Sequence, residues 1–113
     1  MATSNSSYKV TWDATYDNPN GLAGTYPHFK NFPDFPYIGG TFDTKWGFSN
    51  CGKCWRLTNK KGGREIYVTA IDTAGGGFNI GKKAFVTLNA GTVGAGTLDA
   101  EAVSVAPGWC GFK

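Results

Sequence analysis

The feature that most constrains this chain is a set of short alternating segments separated by glycine-rich breaks. Tyr8-Lys-Val-Thr-Trp12 alternates and ends at Asp13. Trp55–Thr58 and Ile66–Ile71 read as two further strands, joined through Asn59-Lys-Lys-Gly-Gly63 by a hairpin-like connection. Leu98–Val105 alternates again, with Glu101 on one face and Ala102 on the other. The 17 glycines and the 15% of aromatic residues suit this pattern, because glycine turns tight corners and aromatic rings cover pleated faces. Only Lys82–Leu88 has a convincing helical pattern, burying Ala84, Phe85 and Leu88. Between these elements, residues 16–24 are dense in turn formers, and Gly75-Gly76-Gly77 and Gly91–Gly96 break the chain. Residues 26–40 hold Pro27, Pro33, Pro36, Gly39 and Gly40 among aromatics, which predicts an irregular, aromatic-lined loop. The sum is a mainly β fold, a small β-barrel with one or two short helices.

With 113 residues the chain has room for one hydrophobic core and not two. Residues 1–7 read as a leader without an apolar core segment, and residues 8–113 as a single domain. The sequon Asn5-Ser6-Ser7 falls in that leader and carries no weight. No apolar run approaches the roughly 18–20 residues that span a bilayer. A formal net charge of +3 is weakly basic, and its lysines are scattered. The densest groups, Lys60, Lys61 and Arg64 and then Lys82 and Lys83, read as solvated turns and not as a nucleic-acid stripe. Disorder is excluded by the aromatic content.

The three cysteines are Cys51, Cys54 and Cys110, the first two in a C-x-x-C. A redox motif of that kind precedes a helix in a βαβ unit, whereas this one runs into the strand Trp55–Thr58. A zinc site needs more ligands than His28, the one histidine, can supply, so no metal and no cofactor is expected. A structural disulfide between Cys110 and either member of the pair fits better. Closing so long a loop is worth roughly 4 kcal/mol in the chain-entropy model. One thiol is then left over.

A nucleophilic triad cannot be assembled around His28 in its proline-rich loop, and the triple glycine lacks the lysine of a phosphate loop. Carboxylates are the remaining candidates for chemistry. Asp13 closes the first strand, and Asp72 follows Ile66–Ile71 before a glycine-rich loop. Strand ends that open into loops are where sites are commonly built, and two facing carboxylates can cleave a glycosidic bond. Each also suits a turn cap through backbone N–H groups, which is the reading favoured on the residues alone. Tyr16, Tyr26, Phe29, Phe32, Phe35, Tyr37, Trp46 and Phe48 lie in or beside loops. Flat rings stack on sugars, while most aromatics of a loop-rich protein fill its core.

Several segments, taken in order, resemble the cerato-platanins: Val10-Thr-Trp-Asp13 with Tyr16-Asp17, Phe35-Pro-Tyr-Ile-Gly-Gly40, Cys51-Gly-Lys-Cys54-Trp-Arg-Leu-Thr58, Ile66-Tyr-Val-Thr-Ala-Ile-Asp72 with Gly77-Phe-Asn-Ile-Gly81, and Cys110-Gly111. The match runs from about Tyr8 to the end. It implies a six-stranded double-psi β-barrel similar to the first domain of expansins and to some small endoglucanases. It also implies secretion to the fungal cell wall or the surrounding fluid, and no enzymatic hydrolysis. The implied partners are chitin or N-acetylglucosamine oligomers or cellulose, with a plant receptor behind an elicitor role. Nucleic acid is not among them.

By the same resemblance Asp72 matches the acid of the family's central groove, and Asp13 lies near a second carboxylate of the related endoglucanases. Tyr37 and Asn79 fall inside matching motifs as groove neighbours. Two other roles compete with a binder: a wall loosener or weak glycoside hydrolase using Asp13 and Asp72, and a self-assembling surface protein. The family carries four cysteines, and this chain has none in residues 18–36. The resemblance therefore pairs Cys54 with Cys110 and leaves Cys51 a free thiol. That thiol is expected to be buried in a monomer, with self-association through it as the alternative.

Overall fold

The computed structural model describes residues 6–21, 28–43 and 52–112. Six strands and one helix follow in the order β1 (Ser6–Trp12), β2 (Ile38–Thr41), β3 (Cys54–Asn59), β4 (Glu65–Thr73), β5 (Phe78–Ile80), α1 (Lys82–Leu88) and β6 (Thr97–Val105). Three single 3₁₀ turns, Ala14–Asp17, Phe29–Asn31 and Pro107–Cys110, complete the regular structure of the described residues. The strands close into a barrel in the order β1-β5-β2-β4-β3-β6. The pairs β1/β5 and β2/β4 are parallel and the remaining pairs antiparallel.

The alternating segments become strands as expected, and the helix occupies Lys82–Leu88 as predicted. The first strand begins two residues ahead of Tyr8, because Ser6 and Ser7 pair with Ala102 and Glu101 of β6. Residues 26–40 are corrected at their end: Ile38–Thr41 is a strand, not irregular loop. Its neighbours on both sides explain the glycines. A Cβ on Gly39 would fall against the carbonyl oxygen of Asn79 and 2.6 Å from Ile80 Cα, so only glycine lets β2 lie this close to β5.

Two hydrophobic clusters result. The barrel interior is filled by inward residues such as Val10, Leu57, Val68, Phe78 and Ile80, and α1 closes it with Ala84, Phe85 and Leu88. A second cluster, Tyr16, Phe29, Phe32, Ile38 and Ile71, joins β2 and β4 to the chain segments around the first two 3₁₀ turns, with Phe35 and Phe112 packed against it. The Cys54–Cys110 disulfide, with 5.8 Å between Cα atoms, ties the last 3₁₀ turn to β3 and agrees with the pairing the resemblance implies. Both cysteines are buried. The free-thiol expectation for Cys51 lies outside the described residues.

Candidate functional site

The site is set by strand register. Thr97 of β6 pairs with Thr11 of β1, Thr11 with Asn79 of β5, Asn79 with Gly40 of β2, and Gly40 with Asp72 of β4. Residues opposite one another across a sheet share a face. Five neighbouring strands thus present one row, which at about 4.8 Å per strand is about 19 Å long. Gly40 is buried, and a Cβ there would stand 3.2 Å from Thr73 C and 3.3 Å from Ala74 N, so glycine lets that backbone pass close to β2 between Asn79 and Asp72.

Asp72 reaches this row only through an irregularity. Ile66, Val68 and Ala70 point into the barrel, and strict alternation would send Asp72 after them. The β2/β4 register slips between Gly39 and Gly40, so that Gly40 meets Asp72 and passes over Ile71. A slip of this kind re-aims one side chain, and here it gives Asp72 to the face of Asn79. The carboxylate is then held at both oxygens. Its Oδ2 accepts from the Tyr16 hydroxyl at 3.0 Å, and its Oδ1 accepts from the Thr73 backbone N–H at 2.8 Å. Burial first, and then the Asp72 charge, push the Tyr16 phenol well above its ordinary range, so it remains a hydrogen donor at any working pH.

Asp13 stands one step away from this pair. It is exposed, and its Oδ1 accepts from the Thr15 backbone N–H at 2.9 Å, capping the 3₁₀ turn that carries Tyr16. The hydrogen bonds from Thr15 hold its carboxyl below the usual carboxylate range against a small opposing effect of burial. The cap expected from the residues alone is therefore present at Asp13, and it supports Tyr16. Asp17 fastens the same turn to α1, its Oδ2 accepting from Lys83 N at 3.1 Å. A Cβ on Gly81 would stand 2.5 Å from Asp17 Oδ1 and 2.8 Å from the Pro36 carbonyl oxygen, so glycine is needed where turn, loop and helix converge.

Asn79 is half-buried, and its Oδ1 lies 2.9 Å from the Thr11 hydroxyl, which donates to it and so fixes the amide. Tyr37 goes elsewhere. Its hydroxyl is 3.0 Å from Thr87 Oγ1 on α1, and its ring packs against the barrel core. Of the residues singled out from sequence, Asp72 and Asn79 share the row, Asp13 braces its edge, and Tyr37 links β2 to the helix. Thr11 is a functional neighbour that reading missed, and Tyr16, read there as a loop aromatic, is the partner of Asp72. Both lie inside the matched motifs, but nothing local says that Tyr16 bonds a residue 56 positions away. Tyr26, Trp46 and Phe48 fall outside the described residues, among which no group of three or more His, Cys, Asp or Glu could hold a metal ion.

A family model described as cerato-platanin matches residues 3–112, and the chain belongs to that family. Allergen Asp f 15 of Aspergillus fumigatus is 37% identical over 116 residues, covering 89% of this chain and 75% of that protein. The crystal structure of cerato-platanin 3 from M. perniciosa superposes with a TM-score of 0.87 at 29% identity, covering 95% of this chain and all of the other. A point mutant of the Clavibacter michiganensis expansin, solved in complex with cellohexaose, shares the fold with a TM-score of 0.65 at 19% identity, over 89% of this chain and 51% of that one. The closed barrel is accordingly the double-psi barrel expected from the resemblance.

Proposed function

We propose that the row from Thr11 to Asp72 binds fragments of cell-wall polysaccharide, chitin oligomers or cellulose, without hydrolysing them. In this reading the protein is secreted, works at or outside the fungal cell wall, and elicits plant defence responses through a host receptor. The observation that carries the reading is one row that sets the Asn79 amide and the fixed Asp72 carboxylate on a single face. Asp72 offers acceptor lone pairs to sugar hydroxyls, and Asn79 offers amide hydrogens to hydroxyl or acetamido oxygens. The groups are held in place before any ligand arrives, which reduces the ordering cost of binding.

Cleavage by Asp13 and Asp72 needs one carboxyl group to hold a proton and deliver it to the leaving oxygen. Asp13 is unsuited to that task, because it is occupied as a cap and its pKa is lowered. Asp72 is committed to Tyr16 and Thr73. The arrangement supports binding better than catalysis.

Titration of isotopically labelled protein with chitin and cellulose oligomers tests this. Shifts are expected at Asp72, Asn79, Thr11 and Tyr16, with no shorter oligomers accumulating during prolonged incubation. Asp72→Ala is expected to weaken binding about tenfold or more, the worth of a hydrogen bond to a charged group. An unchanged affinity would show that the row is not the site.

A further inference from the structure

A second concave surface lies where the β3–β4 turn meets the loop after α1. It is a pocket of about 800 Å³, within the range of small-ligand sites. Lys60 and Lys61 enter it from the turn, Asn89, Ala90 and Thr92 from the end of α1 and its following loop, and Asp99 from β6. Its walls are tied together. Asn59 Nδ2 donates to the Leu88 carbonyl at 3.0 Å, and its Oδ1 accepts from Lys61 N at 2.9 Å, fixing the turn to the helix end. Asn89 Nδ2 donates to the Thr92 carbonyl at 2.9 Å and shapes the opposite loop. Ala90 lies in the left-handed region with φ 60°, a conformation rare for a residue with a side chain and enriched where backbone strain serves a site.

The chemistry of the lining narrows what it takes. Lys60 and Lys61 against the one carboxylate of Asp99 leave a surplus of a single positive charge; Lys60 Nζ donates one hydrogen to Ser7 Oγ at 3.0 Å and keeps two for a ligand. Hydroxyls of Thr92 and Thr97 and the free lone pairs of Asn89 and Asp99 suit a ligand rich in hydroxyls, while Leu98 and Ala95 offer small apolar contacts. One negative charge, many hydroxyls and small apolar faces describe an acidic sugar.

We propose that this pocket is a second saccharide site, which takes a carboxylate-bearing sugar unit of an acidic polysaccharide, with Lys60 and Lys61 pairing the carboxylate. It lies beyond the neutral-sugar row and is independent of it, although the two adjoin at Thr97.

The test uses tetragalacturonate and, separately, a chitin tetramer, each followed by calorimetry and by chemical-shift titration. Saturable tetragalacturonate binding is expected, with shifts at residues 59–61 and 89–99. The double variant Lys60→Ala/Lys61→Ala is expected to weaken it about tenfold or more, consistent with loss of charge-assisted bonds. Lys30→Ala/Lys83→Ala removes the same charge elsewhere and is expected to change affinity less than about twofold, since distant exposed charges are screened by salt. Equal losses in the two variants would reduce the effect to net charge and overturn the proposal. So would shifts confined to the Asp72–Asn79 row, or no saturable binding. The chitin tetramer reports on the row alone. If it fails to bind while tetragalacturonate still binds the pocket, the functional proposal for the row falls and the pocket stands.

Discussion

The barrel interior and the cluster outside β2 and β4 are both hydrophobic, yet they are assembled from different material. Strand residues in alternation and one helix face build the interior, and no carboxylate is among its members. The outer cluster draws Tyr16, Phe29 and Phe32 from 3₁₀ turns and their flanks, and sets them against Ile38 and Ile71. Carboxylates stand at its border: Asp17 and Asp34 each keep one buried oxygen without a hydrogen-bond partner. The interior has such an orphan too, the Trp55 indole N–H, but no carboxylate, because it only has to hold the barrel closed. The outer cluster has to deliver the Tyr16 hydroxyl to Asp72, and polar atoms near its edge are the consequence.

Truncating each cluster is the strongest way to break this contrast. Phe85→Ala empties a fully buried site in the interior and is expected to cost about 3–5 kcal/mol of stability in denaturant unfolding. Affinity for chitin oligomers should be unchanged in the fraction that remains folded. Phe32→Ala is expected to cost less, about 2–3 kcal/mol, because turn-borne neighbours can collapse into the gap. It should nevertheless weaken oligomer binding several-fold by loosening Tyr16. If the two variants damaged affinity equally, the division of labour between the clusters would be wrong.

A smaller effect is expected at Asp34, which burial pushes up to about 7. Its folded-state pKa is above that of the unfolded chain. Below about pH 4 both states hold the proton; between about 4 and 7 only the folded state does, so stability falls as pH rises, and the loss is complete above 7. Asp34→Asn is expected to remove that decline and to raise stability at pH 8 by about 1–2 kcal/mol, a figure reduced for solvent screening of a half-buried group. A pH–stability curve with the same slope in the variant would assign the decline to other groups.

The smallest expected effect is that of Tyr16→Phe. Removing one hydroxyl should cost roughly 1 kcal/mol of stability, since the net worth of such a hydrogen bond is small. Oligomer affinity should drop a few-fold because Asp72 is no longer fixed on one side. A variant with wild-type affinity would show that Thr73 alone suffices to orient the carboxylate.

Legibility from sequence followed the length and regularity of each element. β1, β3, β4, β6 and α1 carry enough consecutive residues for a period to show. All four residues of β2 are buried, so it displays no period of two, and β5 alternates over only three residues, too few to establish a period. The glycines that argued for a loop at Gly39 and Gly40 are there because two strands press on β2 at short range. The candidate site divided in the same way. Asp72 and Asn79 were found through matched motifs, and a cap at Asp13 follows from a carboxylate placed two residues before a free backbone N–H. Tyr37 lies in an equally well matched motif, yet its hydroxyl bonds Thr87 on α1.

The alternating segments, the glycine breaks and the family motifs determined by themselves that this chain is a β-barrel and which family it belongs to. Periodicity and motif are local properties, readable within a few residues of chain. Tertiary structure alone decided the closed strand order, the slip between Gly39 and Gly40 that turns Asp72 outward, the Tyr16 bond that holds it, and the pocket shared by the 59–61 turn and the loop after α1. Each of these depends on register between segments distant in sequence, and register is settled by the joint packing of all six strands rather than by any one of them.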